Sequence, residues 1–343
     1  MKFFFLIAIL LILLPQDLLS REKWPTYAQD IKYKTSIDQS LQAMMIYKAK
    51  AQKKRPLLVA LHSWSGNYRQ TGWQNDALQW CHENDWNFIH PNFRGANSNP
   101  DACGSEKAVQ DIIDAVKYMQ HDSLVDSDRI YLIGSSGGGH AALLLAGRAP
   151  QIWAGVSAWV PISDLNAWWA QKNKQKSKYA RNIEKVAGGK PDNDASAHEQ
   201  ARLRSPLSYL HLAKKVNIDI SAGISDGHKG GSVPFTHSLY AFNQVVPDKE
   251  KIPEAIIEKF YRTQSLPVEL KAPQADPLYG KKHLIYRQES LHARINIFQG
   301  GHEIISHAAL NWLKEQRKNK DAVWHSKHIH TLRSSQKNHP SGL

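Results

Sequence analysis

The chain has 343 residues, with 44 Lys and Arg against 31 Asp and Glu, so it carries a formal net charge of +13. With 42% hydrophobic and 22% charged residues it can bury a core as one large domain or two small ones, which excludes a collagen, a coiled coil and a disulfide knot. Eleven Trp and twelve Tyr are more large rings than a core is expected to absorb, and the surplus points to clefts that bind sugars or aromatic groups.

Residues 1–20 read as an address. Lys2 precedes an unbroken apolar run over 3–14, then Pro15, polar residues and the small Ser20, the layout of a secretory signal cut between Ser20 and Arg21. An uncleaved signal anchor is the alternative. No Cys follows the run, which disfavours a lipoprotein anchor, and no later stretch has the length and apolarity of a membrane span. The chain is therefore expected to be exported, periplasmic or extracellular, with no stable membrane span once the signal is removed.

From residue 55 the pattern alternates between strand and helix. RPLLVALH (55–62) is a continuous apolar run ending in the loop Ser63-Trp64-Ser65-Gly66, as for a strand buried on both faces. WNFIH (86–90) is a second strand, ended by Pro91. The loop Phe93-Arg94-Gly95-Ala96-Asn97 then follows and is a candidate pocket wall, in which Arg94 either binds an acidic substrate group or makes a structural ion pair. Val109, Ile112, Ile113, Val116 and Met119 recur at helical spacing behind Ser105. RIYLI (129–133) is a third strand, and residues 137–147 form a helix of small residues. Alternation of this kind predicts a mostly parallel sheet covered by helices on both faces. Cys81 and Cys103, the only two cysteines, are either bridged in an oxidising compartment or buried as free thiols, and neither has metal-ligand spacing.

The sequence Gly134-Ser135-Ser136-Gly137-Gly138 fits G-x-S-x-G at a strand-to-helix junction. Small residues flank the Ser because the turn is too sharp for bulky neighbours, and the turn lifts the Ser136 hydroxyl above the sheet edge at a helix N-terminus. A serine nucleophile needs an acid and a base, which follow it in that order in this arrangement. NIDISAG (217–223) is a strand, and Asp226 lies in the loop beyond it, where a carboxylate can reach a histidine; Asp219, inside the strand, is the less favoured acid. RINIF (294–298) is a final strand, and His302 follows in Gln299-Gly300-Gly301-His302-Glu303 as the expected base. The oxyanion hole is expected from the backbone N–H of Gly137 and of Trp64, with Ser63 as the other candidate for the second donor.

Between residues 160 and 212 lies an expected lid. It contributes Trp168 and Trp169 which, with Trp64, are candidate stacking faces for a sugar ring or a feruloyl group. Residues 321–343 read as a basic, mobile extension: from Lys314 onward there are seven Lys and Arg against two Asp and Glu. His325, His328 and His330 lie in this tail without the carboxylates or thiolates that would make a metal site. Nucleic acid is not an expected partner of an exported chain lacking a binding motif.

Ser136, Asp226 and His302, with LHSWSG, GSSGGG and FQGGHE around them, resemble an α/β-hydrolase of the prolyl-oligopeptidase-like branch, which also contains secreted carbohydrate and feruloyl esterases. The resemblance implies an α/β-hydrolase fold, a mostly parallel central sheet with helices on both faces and a helical lid, over residues 21–320. It also implies Ser-His-Asp acyl transfer through an acyl-enzyme, with no cofactor and no metal. Two departures stand out: Ser63 replaces the Gly usual in the family's HG loop, and a longer Gly-His-Lys-Gly-Gly stretch follows Asp226. Peptidases of this branch resemble one another in a large N-terminal propeller, and only about 34 residues separate the expected cleavage point from the first core strand, too few for several four-stranded blades. The expectation is therefore a secreted hydrolase of carboxylic esters on a small molecule or polysaccharide. A peptidase acting on short peptides is the alternative, and a catalytically dead fold used for binding is the reading from another class.

Overall fold

The computed structural model describes residues 23–228 and 232–324. The expected signal at 1–20, the histidines at 325, 328 and 330, most of the expected basic tail and three residues of the stretch after Asp226 (229–231) lie outside the described residues.

Among the described residues nine strands form one sheet: β1 (Gln29–Lys34), β2 (Leu41–Tyr47), β3 (Arg55–Leu61), β4 (Asn87–Pro91), β5 (Val125–Ser135), β6 (Gly155–Trp159), β7 (Ile218–Gly223), β8 (Leu284–Glu289) and β9 (Ala293–Phe298). Their order is β1-β2-β4-β3-β5-β6-β7-β9-β8. The six strands from β4 to β9 in that order are parallel, β2 and β8 run antiparallel to them on the two sides, and β1 pairs antiparallel with β2 at the outer edge. The inner strands β4, β6, β7 and β9 are buried at every position, and the polar residues they carry, Asp219, Arg294 and Asn296 among them, are paired inside the sheet. The edges β1 and β8 are mixed in burial and sequence.

The helices are α1 (Trp73–Asn84), α2 (Glu106–Asp122), α3 (Gly137–Arg148), α4 (Leu165–Lys174), α5 (Lys178–Ala187), α6 (Ala195–Leu203), α7 (Thr236–Val245), α8 (Glu254–Thr263) and α9 (Ser306–Leu313). Strand order reverses at β3: the crossover through α1 leads to β4 on one side, and the next, through α2, returns to β5 on the other. Right-handed crossovers in opposite directions put α1 on one face of the sheet and α2, α3 and α7 on the other, giving the layered α/β architecture. The pairing of α1 with α9 agrees. Ser105 caps α2 by accepting from Ala108 N–H at 3.1 Å, a contact worth about 1 kcal/mol.

Between β6 and β7 the chain leaves the sheet for α4, α5 and α6, each started by a side-chain cap from Asp164, Ser177 or Asp194. These helices carry a second small core of Ile162, Leu165, Trp168, Trp169, Ile183 and Val186, together with Trp64. Trp324, expected at the root of the tail, is packed: it stacks on Trp312 with ring centres 5.7 Å apart, and its indole N–H donates to Ser290 C=O at 2.9 Å.

The sequence left the state of the cysteines open, and the structure has no bridge. Cys81 and Cys103 are free and buried, one in the main core and one in the second core. Burial pushes the Cys103 thiol up to about 12 and Cys81 well above its ordinary value.

Four buried histidines give the fold a pH dependence. Burial pulls His90 down to about 3, and His140 and His237 to about 4, from an ordinary 6.5, and lowers His62 as well. Below pH 6.5 the unfolded chain binds protons that the folded rings refuse, so this stability is complete above pH 6.5 and is lost as pH falls toward 4. Each such ring accounts for on the order of 1–3 kcal/mol. Thermal melts are expected to show Tm falling steadily across that window; a Tm that is flat there contradicts the assignment of these rings as neutral.

Candidate active site

The reversal of strand order at β3 opens a crevice at the carboxyl ends of β3 and β5, the place where open parallel sheets bind ligands. Ser136 ends β5 and begins α3 at that edge, with φ 60° and ψ −120°. A non-glycine residue in this region is strained, and the strain is held by its neighbours: Ser136 N–H donates to Trp159 C=O at 2.9 Å, and His140 N–H donates to Ser136 C=O at 2.9 Å. The small neighbours are required by space. A Cβ on Gly134 would lie 2.2 Å from the Gly138 carbonyl oxygen, and one on Gly138 would lie 2.4 Å from that of Leu61.

Asp226 and His302 come to the same edge from the loops after β7 and β9. His302 Nδ1 lies 2.6 Å from Asp226 Oδ2. The Asp226 side chain is fully buried, and that of His302 is 22% exposed. The other oxygen, Oδ1, accepts three backbone N–H groups, from Gly227 and Ser232 at 2.9 Å and from Val233 at 3.0 Å. Gly227 on one side of the stretch and Ser232 and Val233 on the other thus surround the carboxylate with amides. Gly227 takes φ 81°, and a Cβ there would stand 2.3 Å from Pro234 Cα. Asp219 is committed elsewhere, accepting from Arg294 Nε at 2.7 Å and from Asn296 Nδ2 at 2.8 Å in the interior of the sheet.

The loop after β3 crosses in front of Ser136. A Cβ placed on Gly137 would lie 2.4 Å from Trp64 N, so the backbones at 64 and 137 are in close contact. Ser63, the other candidate donor, spends both its N–H and its hydroxyl on Gln70 Oε1 at 2.9 Å. The serine that departs from the family's glycine thus anchors the loop through a glutamine seven residues on.

The expected substrate contacts are placed differently. Trp64, Trp168 and Trp169 are only 3%, 1% and 3% exposed, so they offer no stacking face. The rings of Trp64 and Trp168 meet edge-on at 4.7 Å, and each indole N–H has a partner in Asn182, Ser232 or Glu184. Apolar area that large is better buried against itself than left to water, and so the short helices close on it. Arg94 is a structural residue, gripping Asp111 through Nε at 2.7 Å and Asp38 through Nη1 at 2.8 Å. These ion pairs hold it charged and hold Asp38 below the usual carboxylate range.

Two neighbours of the site carried no sequence signal. Lys172 is buried on α4 and donates from Nζ to Gln175 Oε1 at 2.9 Å; burial pushes its ammonium down, against the pull of Asp226. His237 Nδ1 accepts from Ser163 N–H at 3.2 Å. Asn97, in the loop expected as a pocket wall, is buried beside Trp64. Among the described residues no group of His, Cys, Asp and Glu has metal-binding geometry, and no helix is long and apolar enough to cross a membrane.

Comparison with known proteins agrees with this architecture. The chain is 25% identical over 120 residues to Acylamino-acid-releasing enzyme 1 of Oryza sativa subsp. japonica, a stretch that is 33% of this chain and 15% of the rice protein. The structure superposes on Pyrococcus horikoshii acylaminoacyl peptidase with a TM-score of 0.60 at 14% identity, over 90% of this chain and 44% of that one. On oligopeptidase B from Leishmania major the TM-score is 0.52 at 12% identity, over 84% of this chain and 35% of that one. The chain thus spans less than half the length of each of these proteins. The family model for the prolyl oligopeptidase family, Peptidase S9, matches residues 75–255, just over half of the chain and inclusive of Ser136 and Asp226. The chain belongs to the prolyl oligopeptidase family.

Proposed function

We propose that the chain is a serine peptidase that cleaves short peptides, N-acylated ones among them, with Ser136 as nucleophile, His302 as base and Asp226 as the acid that orients it. The observation that carries this reading is the 2.6 Å contact between His302 Nδ1 and Asp226 Oδ2 at the same sheet edge as the strained Ser136, in a chain matched by the prolyl oligopeptidase model. The names of the rice and archaeal relatives support amide bonds as the substrate. The expectation of an ester rested on the short stretch before the first core strand, and the rings expected to stack on a sugar or feruloyl group, Trp64, Trp168 and Trp169, are buried.

In this mechanism His302 Nε2 takes the proton of Ser136 Oγ as the oxygen adds to the acyl carbon. Asp226 accepts the Nδ1–H of His302, fixing its tautomer and stabilising the imidazolium. The N–H groups of Trp64 and Gly137 receive the oxyanion. His302 then protonates the departing amine, and water, deprotonated by the same ring, releases the acid and restores Ser136.

The test is a substrate panel with the purified protein: N-acetylalanine p-nitroanilide, N-acetylated and unblocked dipeptides, p-nitrophenyl acetate and acetylated xylan fragments, with a fluorophosphonate as active-site reagent. The expected result is amide turnover abolished by one phosphonyl group found on Ser136 by mass spectrometry. Turnover of the esters alone makes the protein an ester hydrolase; activity that survives without modification of Ser136 removes the serine mechanism altogether.

A further inference from the structure

Asn97 is the best-placed polar side chain that the mechanism above does not use. It is 1% exposed and belongs to the loop after β4, in which Phe93 and Arg94 both take positive φ, 30° and 74°, a conformation held by the ion pairs of Arg94. Strain of this kind concentrates where a group must be delivered to a fixed place.

The backbone N–H and the side-chain oxygen of Asn97 are both engaged. Its backbone N–H donates to Trp64 C=O at 2.8 Å, and its side-chain Oδ1 accepts from Cys103 N–H at 2.8 Å. The second contact fixes the amide, since the reverse orientation would set an NH2 group against an N–H. Nδ2 is thereby directed away from Cys103, and it is buried with no hydrogen-bond partner. The Cβ position on Gly137 that lies 2.4 Å from Trp64 N also lies 2.9 Å from Asn97 Nδ2. An orphaned amide donor and the backbone of both oxyanion residues therefore meet within one side chain's width.

A buried donor with no acceptor costs about 1–3 kcal/mol, and such groups are rare in folded proteins. Here an acceptor exists in the reaction: the oxygen that becomes negatively charged when Ser136 adds to the substrate. We propose that Asn97 is a third oxyanion donor, its Nδ2–H completing the set formed by the Trp64 and Gly137 N–H groups. The inference rests on the serine mechanism proposed above. A preorganised donor strengthens its bond as charge develops and does little for the neutral carbonyl, so the effect belongs to kcat. Gly137 fits the arrangement, because any side chain there would take the space of the Asn97 amide.

Asn97→Asp preserves the shape and the acceptor for Cys103 N–H but removes the donor and, when ionised, adds a negative charge, so Asn97→Ala, which removes the donor without adding charge, is read beside it. Asn97→Asp is expected to lower kcat about 100-fold with KM changed by less than about threefold, and Asn97→Ala to do the same with a lower Tm. A folded Asn97→Asp protein with kcat within about threefold of wild type overturns the proposal. Wild-type protein gives a second readout that needs no variant. With 15N-labelled asparagine, a trifluoromethyl ketone peptide that adds to Ser136 is expected to move the Asn97 side-chain N–H resonance downfield. An adduct on Ser136 with that resonance unmoved rejects Asn97 alone, whereas no adduct and no turnover rejects the serine mechanism on which it rests.

Discussion

Replacing Ser136 with Ala is expected to lower kcat by about 10⁴- to 10⁶-fold and to leave the fold in place. The two hydrogen bonds that hold residue 136 in its strained conformation run through its backbone, to Trp159 C=O and from His140 N–H, and Ala keeps both. What is lost is the atom that bonds to the substrate. Activity a few thousandfold above the uncatalysed rate persists in such variants, because the oxyanion donors still bind the charged oxygen. Stopped-flow release of p-nitroaniline, with a thermal melt on the same sample, checks both halves. Near-wild-type kcat in the variant sinks the serine mechanism.

Asp226→Asn is expected to cost about 10⁴-fold in kcat, and the geometry gives the reason. Oδ1 is held by three backbone N–H groups, from Gly227, Ser232 and Val233. An asparagine must place its oxygen in that cradle, since the alternative sets an NH2 against three donors. Its NH2 then faces His302 Nδ1, where the carboxylate oxygen stood at 2.6 Å. His302 can meet that donor only by accepting at Nδ1, which moves its proton to Nε2 and removes the lone pair that Ser136 needs. Replacing charge-assisted hydrogen bonds with neutral ones also lowers stability by about 1–3 kcal/mol, visible as a lower Tm. Should Asp226→Asn keep most of its activity, another carboxylate orients the base.

The legible parts of the sequence are those in which one physical demand dominates. Strand β3 is buried on both faces and appears as an apolar run, and α2 carries a Ser105 cap followed by helical spacing. Ser136 was marked by the glycines its turn demands, and Asp226 and His302 by their places just beyond apolar strands. The edge strands β1 and β8 escaped because their exposed and half-buried positions carry charges and supply neither a clean run nor a clean period. The tryptophans of the insertion misled because composition counts rings without saying where they point, and α4 to α6 turn Trp168 and Trp169 onto a core of their own. Arg94 sits near the site in sequence and in space, yet Asp38 and Asp111, distant in the chain, claim it. Asn97 was marked only as part of a candidate pocket wall, because its particular interest lies in an unfilled hydrogen bond, and only coordinates reveal one.

The aromatic contact between Trp64 and Trp168 bears on how the insertion and the reaction centre are connected. Trp64 offers its backbone N–H to the reaction and its ring to the second core, with its indole N–H bonded to Asn182 of α5 at 3.3 Å. Were α4 and α5 to swing away as a door, that ring would be stripped of its packing and the proposed oxyanion donor would lose its anchor. The packing of the insertion and the position of the proposed oxyanion donor are therefore coupled through one side chain, and a loosening of α4 and α5 is expected to be felt at residue 64.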